Sequence, residues 1–242
     1  MKTVFKVILL LGLAVYFIFA ITTISRSRAT MTCAGLNVVI IDERNTGFVS
    51  EDEVRELLVN NGLHLEGQLL KDINLAELEK ILVASPYIET ALCYVTSDSR
   101  LTIQITPRIP VLHVINEHGD DFYIDNCKGV MPRAYHHIDL ILMTGHVDSL
   151  TAGSLYSQLG VRLSGDEFWD NQIEQIYVTE TGEMEITPRV GDHTILLGDT
   201  SNLEDKLERL RVFYDKGLSQ AGWNKYKAIN LKYDNQIVCT KR

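Results

Sequence analysis

No two cysteines in this sequence have the spacing of a metal-binding or redox motif. Cys33, Cys93, Cys127 and Cys239 are far apart, and no C-x-x-C pair occurs. Zinc-ribbon and thioredoxin-like readings therefore find no support. Whether the four thiols pair or stay reduced is left open, because a body of this size can build a core without disulfides. Catalytic signatures are missing too: there is no G-x-S-x-G, S-x-x-K, H-E-x-x-H or G-x-x-x-x-G-K-[ST], so the chemistries those motifs carry out have no anchor here. Low-complexity tracts and runs of five like charges are also absent.

Long hydrophobic runs are scarce as well, and the one exception organises the chain. Residues 7–24, Val7 to Ile24, carry no charge, and as a helix they reach ~27 Å, close to the thickness of a hydrocarbon core. A cleaved signal peptide has a shorter apolar stretch and a small-x-small cleavage site. The end of this run, Ala20-Ile21-Thr22-Thr23-Ile24, offers no such site. The expectation is a retained single-pass anchor with residues 1–6 as a cytoplasmic tail, 25–34 as a juxtamembrane linker and the body outside. Lys2 and Lys6 stand against Arg26 and Arg28, so the positive-inside count is nearly balanced. The short tail and large following domain favour the N-terminus inside.

Charge separates the anchor from the body. The whole chain has 23 basic and 32 acidic residues, a net charge of −9. Four of the basic residues precede residue 29, leaving 19 against 32 and a body at −13. Nucleic-acid binding needs clustered Lys and Arg, so that class is disfavoured. Anionic lipid would also repel the body.

The body begins with a β-branched strand candidate, Leu36 to Asp42. Ser50 and Glu53 then form a capping box, with Val49 and Val54 as its hydrophobic staple. Val54, Leu57 and Leu58 give one apolar face, and Asn60-Asn61-Gly62 stops the helix. Asn74 and Glu77 repeat the grammar, and Leu75, Leu78, Ile81 and Leu82 form the stripe of a second helix, which Ser85-Pro86 ends. Ile88 to Val95 and Leu101 to Thr106 read as strands joined by a turn at Thr96 to Ser99. This order predicts a small α+β unit, a three-stranded sheet with two helices on one face.

From Phe122 the texture becomes β-rich. Phe122 to Asp125 and Val130-Met131 flank a turn. Ser149 to Leu159 and Asp166 to Ile173 read as short helices, and Gln175 to Thr179, Met184 to Thr187 and Thr194 to Leu197 as strands. A long helix is expected from Ser201, with Glu204 completing a third capping box and Leu203, Leu207, Leu210, Phe213 and Tyr214 on its apolar face. Ala228 to Tyr233 and Ile237 to Thr240 follow as strands, broken at Asp234-Asn235-Gln236.

Taken in order, these segments resemble the FtsQ/DivIB bacterial cell-division family. The stretches that carry the resemblance are Ile88-Glu89-Thr90-Ala91, Leu101 to Val111 with Arg108 and Pro110, Phe122 to Pro132, Ile141 to Gly145, Thr194 to Gly198 before a helix, and Ile229 to Tyr233. Two departures stand out: Pro107 replaces an acidic residue before Arg108, and Lys232 replaces the usual arginine. The resemblance implies a POTRA domain over 35–112 and an FtsQ-like β domain with a long helix over 113–242. It also implies a non-enzymatic scaffold at the division septum of the inner membrane, binding the bitopic proteins FtsB and FtsL and no cofactor. Docking is expected at the closing strand, Ile229, Asn230, Leu231, Lys232 and Tyr233. Alternation would point Ile229, Leu231 and Tyr233 toward the core, leaving the backbone edge with Asn230 and Lys232 for the partner. A proline at Asn230 or Lys232 is expected to break docking if its missing N–H lies on the open edge.

Other residues invite enzyme readings. His136-His137 with Asp139 reads as a solvated loop more readily than as a metal site, and His113 and His118 as loop histidines near the domain junction. Asp120-Asp121 reads as a turn, and Glu51-Asp52-Glu53 suits a helix N-terminus. Trp169 and Trp223 read as partial core, and Tyr226 and Tyr233 flank the closing strand. A second function class stays open: a membrane-tethered extracytoplasmic enzyme or secretion-system component with a POTRA-like module.

Overall fold

The computed structural model describes residues 12–17, 19, 31–42, 47–134 and 138–242. Most of the 7–24 run and all of His136-His137 lie outside them. Residues 12–17 and 19 are helical. Among the described residues, no helix is long and apolar enough to cross a membrane. The chain divides into two compact units, residues 1–107 and 108–242.

In the first unit, β1 (Leu36–Ile40), α1 (Glu51–Asn60), α2 (Leu75–Val83), β2 (Ile88–Val95) and β3 (Leu101–Pro107) follow the expected order. A 3₁₀ turn at Leu70–Asp72 precedes α2. The sheet order is β1-β3-β2, with β1 parallel and β2 antiparallel to β3. The capping box at Ser50 forms: its hydroxyl accepts from the Glu53 N–H at 3.2 Å, and the Glu53 carboxylate accepts from the Ser50 N–H at 2.8 Å. Gly62 ends α1 with φ +75°, a conformation that carries little penalty only without a Cβ. Asn74 caps α2 by accepting from the Glu77 N–H. Val54, Leu58, Leu78 and Leu82 are buried, as are Leu101, Ile103 and Ile105 of the central strand.

The second unit is a nine-stranded mixed sheet in the order β12-β11-β10-β9-β8-β7-β4-β5-β6. Its strands are β4 (Pro110–Asn116), β5 (Asp121–Asp125), β6 (Val130–Pro132), β7 (Leu142–Gly145), β8 (Ile173–Val178), β9 (Met184–Pro188), β10 (Thr194–Gly198), β11 (Tyr226–Asn230) and β12 (Val238–Lys241). Parallel neighbours need a crossover connection: β7–β8 and β10–β11 are joined through helices, and the parallel pair β4–β7 through the β5–β6 hairpin. Helices α3 (Ala152–Ser164) and α4 (Glu167–Gln172) make the first crossover. The second is α5 (Leu203–Val212), continued by a π-helical turn at Phe213–Leu218. Val111, Leu112, Met143, Leu159, Ile176, Ile195, Leu210 and Ile229 share one core with Trp169 and Tyr214. Gly153 allows α3 to meet the β5–β6 turn, since a Cβ there would lie 2.1 Å from the Lys128 carbonyl oxygen.

Three expectations change. The boundary falls at 107/108 instead of 112/113, because Pro110–Asn116 is a strand paired with both β5 and β7. The helix expected at Ser149 to Leu159 runs from Ala152 to Ser164. The third capping box does not form. Asn202, with φ +50°, takes the N-cap position without a side-chain bond. The Ser201 hydroxyl and N–H both donate to Asp199, and Glu204 receives Arg162 Nε of α3 at 2.7 Å. A tertiary ion pair has taken the glutamate that the local motif needed. None of the four cysteines is in a disulfide. Burial, then the nearby Glu79 carboxylate, pushes the Cys93 thiol up to about 11.

Two outcomes test this packing. Leu78 is 2% exposed, so Leu78→Asp should cost several kcal/mol, enough to unfold a small domain. Amide protection should be lost across 36–107 and kept in β8; unchanged protection in the first unit would place α2 wrongly. His193 is buried, with Nε2 2.9 Å from the Tyr214 hydroxyl. Desolvation holds its pKa below the ordinary value, against opposing pulls from the Trp223 backbone and Asp192, and with Arg242 lowering it further. The unfolded chain therefore takes up the proton first. This contribution to stability is complete above ~6.5 and declines as pH falls through the folded-state pKa. Thermal melts at pH 7 and pH 5 should show the loss, and His193→Asn should shrink it.

Candidate docking surface

Strand β11 is interior. It pairs in parallel with β10 and antiparallel with β12, so the expectation of one terminal edge strand at Ile229 to Tyr233 is corrected. Ile229 and Asn230 belong to β11, while Leu231, Lys232 and Tyr233 lie in the connection to β12. Ile229 and Leu231 are buried, whereas Tyr233 is 50% exposed. The physical reason is the second strand: three residues of break after Tyr233 make a hairpin, and the last strand of a hairpin takes the outer place. Ile237 to Thr240 carried that signal in the sequence.

Backbone direction follows from alternation. The Leu231 N–H donates to the Leu196 oxygen of β10 at 3.0 Å, so Asn230 and Ala228 turn their backbone groups toward β12. They stand opposite Val238 and Thr240. Cys239 and Lys241 consequently direct N–H and C=O outward, where the sheet has no further strand. Asn230 thus has its N–H facing β12 and not an open edge.

The other three sheet edges are blunted. Arg55 Nη2 of α1 donates to the outward Leu36 oxygen of β1 at 3.0 Å. Glu79 of α2 accepts the outward Cys93 N–H of β2 at 2.8 Å. In β6 the outward positions are Val130 and Pro132, because Met131 pairs inward with Tyr123, and proline has no N–H to give. Short length, proline and covering side chains are the usual protections of a sheet edge. Strand β12 is also short, at four residues, but within it there is no proline, and no side-chain bond covers its outward groups in the way Arg55 and Glu79 cover theirs.

Charge marks the same edge. From Lys225 to Arg242 the chain carries five basic residues, Lys225, Lys227, Lys232, Lys241 and Arg242, and one acidic residue, Asp234. Two of the cations are in ion pairs: Lys232 Nζ lies 3.1 Å from both carboxylate oxygens of Glu183, and Arg242 pairs with Asp192. Lys225, Lys227 and Lys241 are exposed. Asn230 Oδ1 accepts the Lys232 N–H, which fixes the exit from β11. Behind the connection, Arg209 of α5 donates to the carbonyl oxygens of Tyr233 and Gln236 at 2.9 and 2.5 Å. Sequence reading missed Cys239, Lys241 and Arg209, since an outward N–H and a helix-to-turn bond leave no local pattern. His113 stands 2.7 Å from Asp121, and His146 stands 2.8 Å from Glu117. Among the described residues, no three His, Cys, Asp or Glu side chains are grouped to hold a metal ion.

The engagement of Lys232 predicts its mutational signature. Lys232→Glu sets a second carboxylate against Glu183 and should lower stability by less than ~1 kcal/mol, the scale of an exposed pair. The exchanged pair Glu183→Lys with Lys232→Glu should recover it in thermal melts. Additive losses would show that the pair is not coupled.

Comparison with known proteins follows the same division of the chain. Residues 31–106 match a POTRA-like domain model, and residues 109–240 match the model described as FtsQ/DivIB, C-terminal related. A search of curated proteins found no match. With more than half of its 242 residues inside that second match, the chain belongs to the FtsQ/DivIB family of cell-division proteins.

Proposed function

We propose that this chain is a non-enzymatic, membrane-anchored scaffold of the bacterial divisome. It links early and late division proteins at the septum by binding FtsB-like and FtsL-like bitopic partners. The observation that carries the reading is the β12 edge, the one edge of the described sheets with neither a proline nor a covering side-chain bond. A partner segment adds there as a further strand through the outward groups of Cys239 and Lys241. Main-chain bonds give affinity in this mode, and side chains give selection. The exposed Lys225, Lys227 and Lys241 favour an acidic partner segment over the otherwise acidic body.

Anchoring rests on the 7–24 run. Its described residues include Leu13, Val15, Tyr16, Phe17 and Phe19, each more than half exposed. Apolar helical side chains open on this scale call for a lipid or protein cover. The single helix sets the body on the outer face of the membrane, beside partners tethered in the same way.

The deciding variant is Lys241→Pro. Its side chain is exposed, and its N–H points away from β11, so the fold should survive, as edge prolines generally allow. The outward donor is lost and the ring obstructs an added strand. Binding of the FtsB-like extramembrane segment should weaken at least ~10-fold, the scale of one or two hydrogen bonds, and septal recruitment of later proteins should fail. Undiminished binding by a variant with unchanged circular dichroism would move the interface elsewhere.

A further inference from the structure

We propose that Arg209 is the positioning residue of the docking edge: from α5 it fastens the β11–β12 connection and so keeps β12 in the one register a partner strand can use. The inference rests on the reading of β12 as the docking edge.

Strand β12 is the least secured strand of its sheet. It has four residues and pairs with β11 alone, and that pairing contains an irregularity between Tyr226 and Ala228. Edge segments of this kind open locally at far lower cost than the domain unfolds. The connection leading into it, residues 231–237, includes Asn235 at φ +58°. Its carbonyl groups converge on one guanidinium. Arg209 Nη1 donates to Tyr233 and Gln236 oxygens at 2.9 and 2.5 Å, and Nη2 reaches the Leu231 oxygen at 3.4 Å. Nε is held by Asp205 Oδ2 at 2.9 Å, one turn earlier on α5. The Arg209 side chain is only 16% exposed.

The anchor point is rigid. Leu207 and Leu210, on either side of Arg209, are fully buried in the core. One planar group therefore ties three carbonyl groups, spread over six residues, to a helix packed into the core. A lysine ammonium is a single point donor and cannot span them. When the binding-competent conformation is populated only in part, apparent affinity falls by that fraction. The clamp acts on binding by keeping that fraction near one, with no contact to the partner needed.

Amide exchange and partner binding, measured on the full chain in detergent, separate the possibilities. In Arg209→Met, exchange at Val238 and Thr240 should accelerate at least tenfold without partner present, while Ile176 and Ile186 in the centre of the sheet stay protected. Affinity for the FtsB-like extramembrane segment should fall at least fivefold, and Arg209→Lys should lie between the two. Equal acceleration throughout the sheet would make Arg209 a general stabiliser and overturn the proposal, as would unchanged exchange in β12. Faster β12 exchange with undiminished binding would overturn the positioning role while leaving the docking edge standing. If Lys241→Pro binds like the unaltered protein, the docking edge itself is wrong, and this inference falls with it. Should Arg209→Met not fold, Arg209→Lys alone still reads both quantities.

Discussion

Every backbone N–H and C=O in a sheet needs a partner, and a sheet that does not close on itself ends in two strands that cannot find one internally. Among the described residues the chain has two open sheets and hence four such ends. Side chains serve three of them. Arg55 and Glu79 reach from the two helices of the first unit to the outward groups of its edge strands. A three-residue strand ending in proline closes one side of the second unit. The remaining edge carries the functional reading because, among the described sheets, it alone has neither a covering side-chain bond nor a proline.

Charged groups inside the second unit serve turns more than the core. Asp125, 1% exposed, accepts the N–H groups of Cys127 and Gly129 and pairs with Arg108 at 3.1 Å. Lys206, buried along α5, donates to the Asp199 oxygen and carboxylate at 2.9 and 3.0 Å. The Ser201 hydroxyl, then Lys206, hold the Asp199 carboxyl down at about 2. In each case a charge closes a loop on the backbone at the rim of the sheet. Each pair joins a buried member to a more open one, Arg108 at 32% and Asp199 at 73% exposed, and such partly exposed pairs add little net stability. Their value here lies in fixing where each connection lets the next strand begin.

The fold was legible where local signals and tertiary packing agree. Ser50 with Glu53 and Asn74 with Glu77 read as helix starts because each partner is only three residues away, and nothing distant competes for them. Ser201 with Glu204 has the same spacing, yet Arg162, forty-two residues earlier, drew the glutamate off. No strand was expected over Pro110–Asn116, although a ladder tolerates a proline at the first residue of a strand. For the expected docking strand, the side-chain alternation was legible and the strand order was not. Alternation identified Ile229 and Leu231 as inward-facing, but which strand is outermost depends on the order of all nine. That order is fixed by crossovers through α3, α4 and α5, and no window of sequence contains it.

The cationic hairpin on an acidic body has a kinetic consequence. A negatively charged segment is repelled from most of this surface and drawn toward one end of one sheet, so the field orients an encounter before any contact is made. Steering of this kind acts on the rate of association and fades with added salt, since charges more than ~10 Å apart are screened at 0.1 M. In the proposed complex, residence time would answer to the backbone ladder at Cys239 and Lys241 instead. Capture and retention would then be governed by different residues, and ionic strength would tune the first while leaving the second almost untouched.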